Sequence, residues 1–458
     1  MIKKFIDRVF RKKRQSAAHI YKRDAHGINR DELSQGALCV CTGLQDEGFK
    51  AFVVGGAVRD LLLGQHPKDF DIATDATPEQ VRSIFRRARI IGRRFRLVHV
   101  MFGPETVEVS TFRAHHTAPD LNEDHAQSDE HGRLLRDNVF GSMEEDALRR
   151  DFTVNALFYD PENEEVWDYT DGFTDLKKKR LVMIGDPARR YREDPVRMLR
   201  AARLAAKLEF TIDGPTLKPI AELSPLLENV PAARLFDEML KLLLSGHAHA
   251  GLEKLRTLGL HRGLLPVLDR LMENTEAKRF AMLTLHRTDE RIAQDKGVSP
   301  AFLFAALFWH DVKIEARQFE STGLAPIPAL HQAMEDVLEK HRRSLAIPRR
   351  YDTQIKEIWA AQPCFLQRSR AKAFRTLAHP RFRACYDFFV LRAEAGDALQ
   401  DVADWWERFQ LADEETREAM LLPDEAPRKK KKRRRKKSAA SAVPSSKDDI
   451  SSNVETAS

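Results

Sequence analysis

The chain has 458 residues, 42% of them hydrophobic, a size and composition that allow two to four domains with sizeable cores. No apolar run reaches the roughly 18 residues that a membrane-spanning helix needs, and the basic N-terminus lacks the apolar block of a secretory signal. The four cysteines are not spaced like zinc ligands, which favours reduced thiols. We therefore expect a cytoplasmic protein rather than an integral membrane or disulfide-rich secreted one.

Positive charge is concentrated near the two ends of the chain. The formal net charge is +7, of which the unbroken run from Arg428 to Lys437 supplies ten, so the rest of the chain carries −3. Residues 421–458 predict a disordered basic tail, because their composition cannot bury a core. Ten consecutive cations bind polyanions, so we expect the tail to hold RNA.

Residues 1–14 predict a basic amphipathic helix within an N-terminal arm of residues 1–31. Apolar residues recur there at helical spacing, opposite a face of lysine and arginine: Ile2, Phe5, Ile6, Val9 and Phe10. Such a helix suits an anionic membrane surface or a protein partner. A basic arm that holds RNA is the alternative, and the sequence leaves the choice open.

The stretch from Phe52 to Thr74 contains the strongest candidate site. An apolar strand is followed by Gly55-Gly56, a turn whose backbone amides can approach a phosphate because no Cβ intervenes. After an apolar helix, Asp69 and Asp71 stand two apart, so in a strand both carboxylates share one face and Phe70 faces the core. A divalent cation relieves the repulsion between such carboxylates, and an all-oxygen set favours Mg²⁺ over zinc. A glycine turn followed by an acidic surface loop is the structural alternative.

The following region predicts a mixed α/β pattern. Residues 32–47 are expected to be helical, Thr77-Pro78-Glu79-Gln80 is a helix start, and Arg96 to Phe102 reads as a buried strand. Val107 to Phe112 alternates between apolar and polar residues, which predicts a second strand. If it lies antiparallel beside the first acidic strand, Glu108 becomes the third carboxylate of the site.

A polar stretch and a charged motif complete this region. Residues 114–137 predict a mobile loop. Arg149-Arg150-Asp151 follows, and its arginines offer fixed positive charge for a triphosphate. Asp151 is either a further acidic member of the site or a group that orients those arginines. A salt-bridged helix is the structural alternative for this stretch.

A second cluster of arginines lies in residues 187–208. Asp194 and Pro195 form a helix start with Asp194 as N-cap. Arg197, Arg200 and Arg203 then recur every third residue along one face. From about residue 221 to 409 the pattern is helical, and its aromatic residues at helical spacing favour core over base stacking. His310-Asp311 is a weak hydrolase signal there and favours an ordinary helix-end pair.

Several of these stretches resemble the class II nucleotidyltransferases, the CCA-adding enzymes and bacterial poly(A) polymerases. The similar motifs are GGAVRDLLLG with DFD at 69–71, RRDFTxNA at 149–156, EDxxRMxRA at 193–201, and a neck motif at 233–243. The resemblance implies an α+β head with a small mixed sheet followed by helical domains. The expected division is an arm (1–31), a catalytic head (32–160), a neck (161–245), a helical RNA-binding body (246–420) and the tail (421–458).

The resemblance also implies roles for individual residues. Asp69 and Asp71 would bind two Mg²⁺ ions, and Glu108 and Asp151 would complete the acidic catalytic set. Asp194 and Arg197 would read the base edge of the incoming nucleotide. The nucleotide-binding set includes these two residues and also Gly55, Gly56, Arg59, Arg150, Asn155, Arg200 and Arg203. The expected substrates are ATP and a single-stranded RNA 3′ end, and the protein is expected to be a monomer.

Three functional alternatives remain at this stage. The nearest is a CCA-adding enzyme, which shares the catalytic carboxylates. The others are an RNA-binding protein without catalysis, which the carboxylates disfavour, and a membrane-attached scaffold, which leaves the site unexplained. Residues 92–113, RFRACYDFFVLRAE and WWERF resemble the poly(A) polymerases, and the basic tail suits an enzyme that grips any RNA 3′ end. The sequence therefore predicts repeated transfer of AMP from ATP to RNA, with release of pyrophosphate.

Overall fold

A computed structural model of the chain describes residues 18–92, 96–114, 126–128, 134–137, 139–261 and 273–423. The amphipathic helix expected at residues 1–14 and the basic run at 428–437 lie outside the described residues, as does most of the expected loop at 114–137. The two described pieces of that loop form strands, which pair antiparallel.

The strands form one large sheet and two small ones. They are β1 His19–Lys22, β2 Ala51–Val54, β3 Asp71–Thr74, β4 Ala88–Ile91, β5 Leu97–Phe102, β6 Glu105–Thr111, β7 Ala126–Ser128, β8 Leu134–Asp137, β9 Leu157–Asp160, β10 Glu165–Asp168, β11 Arg180–Leu181 and β12 Thr211–Ile212. The large sheet has eight strands in the order β1-β10-β9-β2-β3-β6-β5-β4. It is mixed, as predicted, but it includes strands before residue 32 and after residue 160, outside the expected limits of the head.

Most of the helices follow the strands of the large sheet in the sequence. They are α1 Arg23–His26, α2 Gln35–Asp46, α3 Gly56–Leu62, α4 Pro78–Ile84, α5 Met143–Arg149, α6 Gly172–Lys177, α7 Pro187–Glu193, α8 Val196–Leu208, α9 Gly214–Leu217, α10 Ile220–Leu223, α11 Ala232–Leu243, α12 Ala248–Thr257, α13 Thr275–Ala293, α14 Pro300–Ser321, α15 Pro326–Leu345, α16 Asp352–Phe365, α17 Arg370–Leu377, α18 Phe382–Glu394, α19 Gln400–Leu411 and α20 Glu414–Met420. The helical pattern predicted after residue 221 is therefore confirmed.

The pairing of β3 with β6 differs from the prediction in direction. The two strands run parallel, and Asp71 lies directly opposite Glu108. The reason is the connection: α4 crosses over after β3, and β4, β5 and β6 then alternate in direction. Because β4 and β6 point the same way as β3, the expected antiparallel pairing was wrong, although Glu108 still lies beside Asp71.

Most local predictions in the head are confirmed. Thr77 and Gln80 form a reciprocal capping box with Pro78 in the first turn of α4. Along β6, Val107 and Val109 are buried. The strand β5 is not buried throughout, because its residues alternate between buried and partly exposed. One face of the sheet thus packs on α2 and α4 around a hydrophobic core.

A second, larger core runs from Phe152 through the neck into the C-terminal helices. It contains aromatic residues for which the sequence favoured core packing over base stacking. Phe388, Trp406 and Phe409 are fully buried, so packing is their role. Asp311 is also buried there, with its Oδ2 atom 2.9 Å from His341 Nε2, in an interaction between α14 and α15.

All four cysteines are free thiols. Among the helices that the structure describes, none is long and apolar enough to cross a membrane.

Gly172 packs closely against the backbone of the segment that carries Asn155. A Cβ atom on this glycine would lie 2.2 Å from the Thr153 carbonyl oxygen, in the 3₁₀ turn Thr153–Asn155. We expect Gly172→Ala to lower the free energy of unfolding by about 1–3 kcal/mol through overpacking. Gly214→Ala is the matched control, because a Cβ there meets nothing within 4 Å. Urea denaturation that shows equal stability for the two variants would contradict this account.

Candidate active site

A cavity of about 480 Å³ lies between the sheet and the neck helices. It contains every predicted site residue except Asp69 and Glu108, together with Arg234 and Glu238 from α11. Six arginine and four acidic side chains line it, leaving a surplus of two positive charges: Arg59, Arg150, Arg197, Arg200, Arg203, Arg234, Asp71, Asp151, Asp194 and Glu238. A cavity with this balance suits a polyanionic ligand that arrives with cations.

The glycine pair forms a sharp turn from β2 into α3. Gly55 has a φ angle of +74°, which L side chains rarely adopt, and its amide donates to the Leu157 carbonyl. A Cβ atom on Gly55 would also lie 3.3 Å from Arg150 Nη1. Gly56 is the first residue of α3 and lines the cavity. Both glycines therefore give the ligand close access to the backbone at the start of a helix.

Arg59 lies below this turn and is almost fully buried. Its Nε atom donates to Asp60 Oδ1 at 2.8 Å, and its Nη1 atom donates to Asn155 Oδ1 at 2.6 Å. Asn155 in turn donates from Nδ2 to Asp151 Oδ1 at 3.2 Å. Arg59 and Asn155 therefore form part of the hydrogen-bonded floor of the cavity.

The predicted acidic residues lie where β3 begins. Asp69 lies two residues before the strand and outside it, Phe70 is buried, and Asp71 is the first residue of β3, so the predicted strand that would place both carboxylates on one face does not reach Asp69. Asp71 is an exposed residue, but the protein around its carboxylate removes part of that group's water and raises its pKa to about 6; the charges of Glu108 and Asp69 also raise the pKa, whereas the charge of Arg150 lowers it. Three carboxylates thus repel one another at this edge of the cavity, as expected for groups that share a cation.

The donor set fits Mg²⁺. Carboxylate oxygens are the ligands that Mg²⁺ prefers, and it is usually held by one or two carboxylates together with substrate phosphates. Among the residues that the structure describes, no group of three or more histidine, cysteine or acidic side chains forms a complete metal cage. A Mg²⁺ site in which protein carboxylates supply some ligands and substrate phosphates supply the others is consistent with both facts.

The arginine pair that precedes Asp151 is held from both sides. Arg150 donates to Asp146 Oδ2 at 2.9 Å and lies over the Phe158 ring at 5.1 Å. The neck residue Arg190 donates to the carbonyl oxygens of Arg149 and Arg150 at 2.5 and 2.6 Å. The chain turns out of α5 after Arg149, so the alternative of one continuous salt-bridged helix is wrong.

Asp151 pairs with the neck. Its Oδ2 atom accepts from Arg200 Nε at 2.7 Å, and its Oδ1 atom accepts from the Phe152 amide at 2.8 Å. Burial alone would raise the pKa of this carboxyl, but the Arg200 charge and the hydrogen bonds outweigh it and lower the pKa to about 2. These contacts orient Arg200 and Asn155, whereas the sequence had offered Asp151 as a group that orients Arg149 and Arg150.

Asp194 precedes α8 but does not cap it. No side-chain hydrogen bond caps this helix. Instead, Asp194 Oδ2 accepts from Arg234 at 3.0 Å, while Asp194 Oδ1 is buried and has no hydrogen-bond partner. The capping interpretation was therefore wrong, because Arg234 turns the carboxylate towards the cavity. Arg197 is held nearby by the Arg190 carbonyl oxygen at 2.8 Å.

Glu238 on α11 contacts two arginines of α8, Arg200 and Arg203. It lies 3.6 Å from Arg200 Nη1 and accepts from Arg203 Nε at 3.3 Å. Neither Glu238 nor Arg234 was in the predicted site. Their signal was present in the neck motif, since charged residues four apart share one face of a helix whose other positions are mainly apolar.

A second cleft, of about 680 Å³, lies in the helical body between α13, α16 and α18. It is larger than the first cavity, but it contains none of the predicted site residues. Its arginines have partners within the protein, such as Glu290 for Arg287 and Asp387 for Arg383. The smaller cavity, which most of the predicted site residues line, is therefore the candidate active site.

Three family models match the chain. They are described as the poly A polymerase head domain, over residues 51–182, the probable RNA and SrmB-binding site of polymerase A, over residues 209–272, and the polymerase A arginine-rich C-terminus, over residues 322–439. The first match contains every predicted site residue of the head.

Curated relatives and solved structures agree with these matches. Poly(A) polymerase I of Salmonella typhimurium is 46% identical over 89% of this chain and 90% of its own length. A CCA-adding enzyme of Bacillus licheniformis is 36% identical over only 54% of this chain and 60% of its own. A solved CCA-adding enzyme of Bacillus stearothermophilus, in complex with CTP, superimposes with a TM-score of 0.56 at 25% identity and covers 82% of this chain and 81% of its own.

The poly(A) polymerase relative matches almost the whole chain, whereas this CCA-adding relative matches about half of it. Template-independent poly(A) addition is thus the activity that the comparisons support, and the CCA-adding enzymes are more distant relatives. On this evidence the chain belongs to the bacterial poly(A) polymerase family of nucleotidyltransferases.

Proposed function

We propose that the cavity between head and neck transfers AMP from ATP to the 3′ hydroxyl of a single-stranded RNA. One observation carries the proposal: Asp194 Oδ1 is buried without a partner in the same cavity that Asp71 lines. An unpaired buried acceptor costs free energy, so its retention favours a ligand that donates to it. A base reader and a phosphate-transfer carboxylate in one cavity are what nucleotide addition requires.

The acidic residues supply the metal chemistry. Asp69 and Asp71 are the residues that would hold two Mg²⁺ ions, with Glu108 as the third carboxylate. When bound, these ions lower the pKa of an RNA 3′ hydroxyl and neutralise charge on a triphosphate. Partial desolvation raises the pKa of Asp71 most, and repulsion by Glu108 and Asp69 adds to it; a bound cation would relieve that repulsion, which favours this role.

The glycine turn and Arg150 bind the triphosphate. Gly55 and Gly56 line the cavity at the start of α3 and carry no Cβ that would keep a phosphate away, and Arg150 adds a fixed positive charge. Arg59, Arg200 and Arg203 add positive potential to the triphosphate site without being its main ligands, because side chains of the protein already accept hydrogen bonds from their guanidinium groups.

The start of α8 reads the base. Asp194 Oδ1 accepts a hydrogen bond from the exocyclic amino group of adenine, and Arg197 donates to a ring nitrogen. Arg234 orients Asp194, and the Arg190 carbonyl orients Arg197. Because both readers are held by other protein groups, they lose little freedom when the base arrives.

We assign the segment from β1 to β10, residues 19–168, to the head, residues 169–245 to the neck and residues 246–420 to the RNA-binding body. The basic run from Arg428 to Lys437 holds RNA phosphates without regard to sequence. Residues 1–14 make a surface contact with RNA, a protein or an anionic membrane.

The first test is nucleotide addition by the purified protein. With Mg²⁺ and an unstructured RNA, we expect ATP to be incorporated repeatedly and far better than CTP, UTP or GTP.

Asp69→Asn and Asp71→Asn should each abolish incorporation while leaving the unfolding curve nearly unchanged. Glu165→Gln, on β10 of the same sheet, is the control that retains activity. A tRNA lacking its last three nucleotides tests the competing activity, and CTP incorporation that stops after CCA would overturn poly(A) addition.

Asp151 predicts a pH dependence of stability. Its pKa is about 2 in the folded protein against an ordinary value of 3.8, so its stabilising effect is complete above pH 3.8 and is lost as the pH falls towards 2. We expect Asp151→Asn to lower the free energy of unfolding at pH 7 by about 2 kcal/mol, and its deficit relative to wild type to shrink between pH 4 and pH 2. Urea denaturation across this range measures both effects. Asp295→Asn, an exposed charge change, should stay close to wild type, and a pH-independent deficit for Asp151→Asn would contradict the assignment.

The basic tail predicts a salt effect. If about half of its ten cations meet phosphates of single-stranded RNA, deletion of residues 424–458 should reduce the slope of log affinity against log salt by roughly 3 to 4. Filter binding of oligo(A) and oligo(U) over a salt series measures the slope. Base preference should not change, and an unaltered slope would remove the tail from RNA binding.

A further inference from the structure

We propose that Asp60 and Lys207 are positioning residues that set nucleotide selection from outside the cavity. Asp60 and Lys207 belong to a chain of polar contacts that both begins and ends on α8. We call this chain the head–neck clamp, and it consists of Lys207, Asp60, Arg59, Asn155, Asp151 and Arg200. The clamp attaches α8 to the head at two points. The inference rests on the proposed function, because it assigns base reading to the start of α8.

One half of the clamp joins the end of α8 to α3. Lys207 Nζ donates to Asp60 Oδ2 at 3.2 Å. The other oxygen, Asp60 Oδ1, accepts from Arg59 Nε at 2.8 Å and lies 2.6 Å from Arg59 Nη2. The Asp60 side chain is only 12% exposed, so both pairs lie where water screens them weakly.

The other half returns to α8 through the cavity floor. Arg59 Nη1 donates to Asn155, and Asn155 donates to Asp151. Asp151 then accepts from Arg200 Nε at 2.7 Å. Arg200 and Lys207 are seven residues apart, so they share one face of α8 about 10 Å apart along its axis.

Two attachments restrain a helix differently from one. If Arg200 alone held α8, the helix could pivot about that point, and Asp194 and Arg197 would move relative to Gly55 and Gly56. The second attachment at Lys207 suppresses this pivot. The spacing between the phosphate-binding turn and the base-reading end of α8 is therefore set in part by a residue that does not line the cavity.

This spacing bears on the choice between ATP and CTP. Adenine and cytosine both present an exocyclic amino group next to a ring acceptor, so Asp194 and Arg197 alone distinguish them poorly. The reading edge of a purine lies further from the ribose than that of a pyrimidine. A fixed distance between the two ends of the cavity thus favours one ring size over the other.

The clamp predicts the behaviour of Lys207→Met. This variant removes the charge and keeps the aliphatic packing, and we expect the KM for ATP to rise about tenfold, as for loss of one charged hydrogen bond. The preference for ATP over CTP, measured as the ratio of kcat/KM values, should fall. Lys207→Arg should restore both quantities towards wild type.

The matched control is Lys356→Met, in the helical body. Lys356 is as exposed as Lys207, at 29%, and it pairs with Glu335 between α15 and α16, away from the cavity. It should leave KM and nucleotide preference unchanged. Asp60→Asn should resemble Lys207→Met, and the double variant should be no worse than the more severe single variant, because the two share one interaction.

The outcomes separate the clamp from the proposed function. A Lys207→Met protein that loses thermal stability like the control but keeps the wild-type KM and nucleotide preference would overturn the clamp. If wild-type protein fails to incorporate ATP into RNA, the proposed function fails, and the clamp loses its premise with it. If only the Lys207 and Asp60 variants shift KM and preference, both stand.

Discussion

The site depends on compensation of charge between head and neck. Two ion pairs join the parts: Arg200 of the neck pairs with Asp151 of the head, and Asp60 of the head pairs with Lys207 of the neck. Breaking a buried ion pair leaves an uncompensated charge, which costs several kcal/mol. The two parts are therefore bound by the same interactions that shape the cavity. What remains uncompensated, the carboxylates near Asp71 and one oxygen of Asp194, marks where cations and a base would be placed.

This division between paired and unpaired groups explains why arginines are so frequent in the cavity. A guanidinium has five donors, so it can meet an acid of the protein and still present a donor or a positive field to a ligand. Arg150 illustrates this: Asp146 holds two of its nitrogens, and its charge still lowers the pKa of Asp71. A lysine could not make both contacts with the same rigidity. The arginines thus serve as fixed scaffolding and as the source of positive potential.

The sequence predicted the features that are local. The Gly55-Gly56 turn, the capping box at Thr77 and the shared face of Arg197, Arg200 and Arg203 follow from the conformational preferences and periodicity of a few neighbouring residues. The sequence-based predictions failed where the structure depends on residues far apart in the chain. The parallel direction of β3 and β6 follows from a crossover connection that short sequence patterns do not reveal. Asp194 was expected to cap its helix, but it pairs with Arg234, forty residues later, and that pairing could not be read from the local sequence. The role of Asp151 stayed open for the same reason, since Arg200 meets it only in the folded chain.

The shared catalytic motifs identified the chemistry before the geometry was known, but they could not distinguish poly(A) from CCA addition, and only resemblance outside those motifs and the basic tail favoured poly(A) addition. The structure suggests why such motifs are insufficient. The groups that touch the base are few and can read either amino-substituted ring, so selectivity needs a constraint on distance as well as on donors and acceptors. On the clamp proposal, that constraint lies in the polar contacts of α8 with Asp60 of α3 and with Asp151. Two enzymes with the same contacting residues can therefore differ in product if the interactions that join head to neck differ.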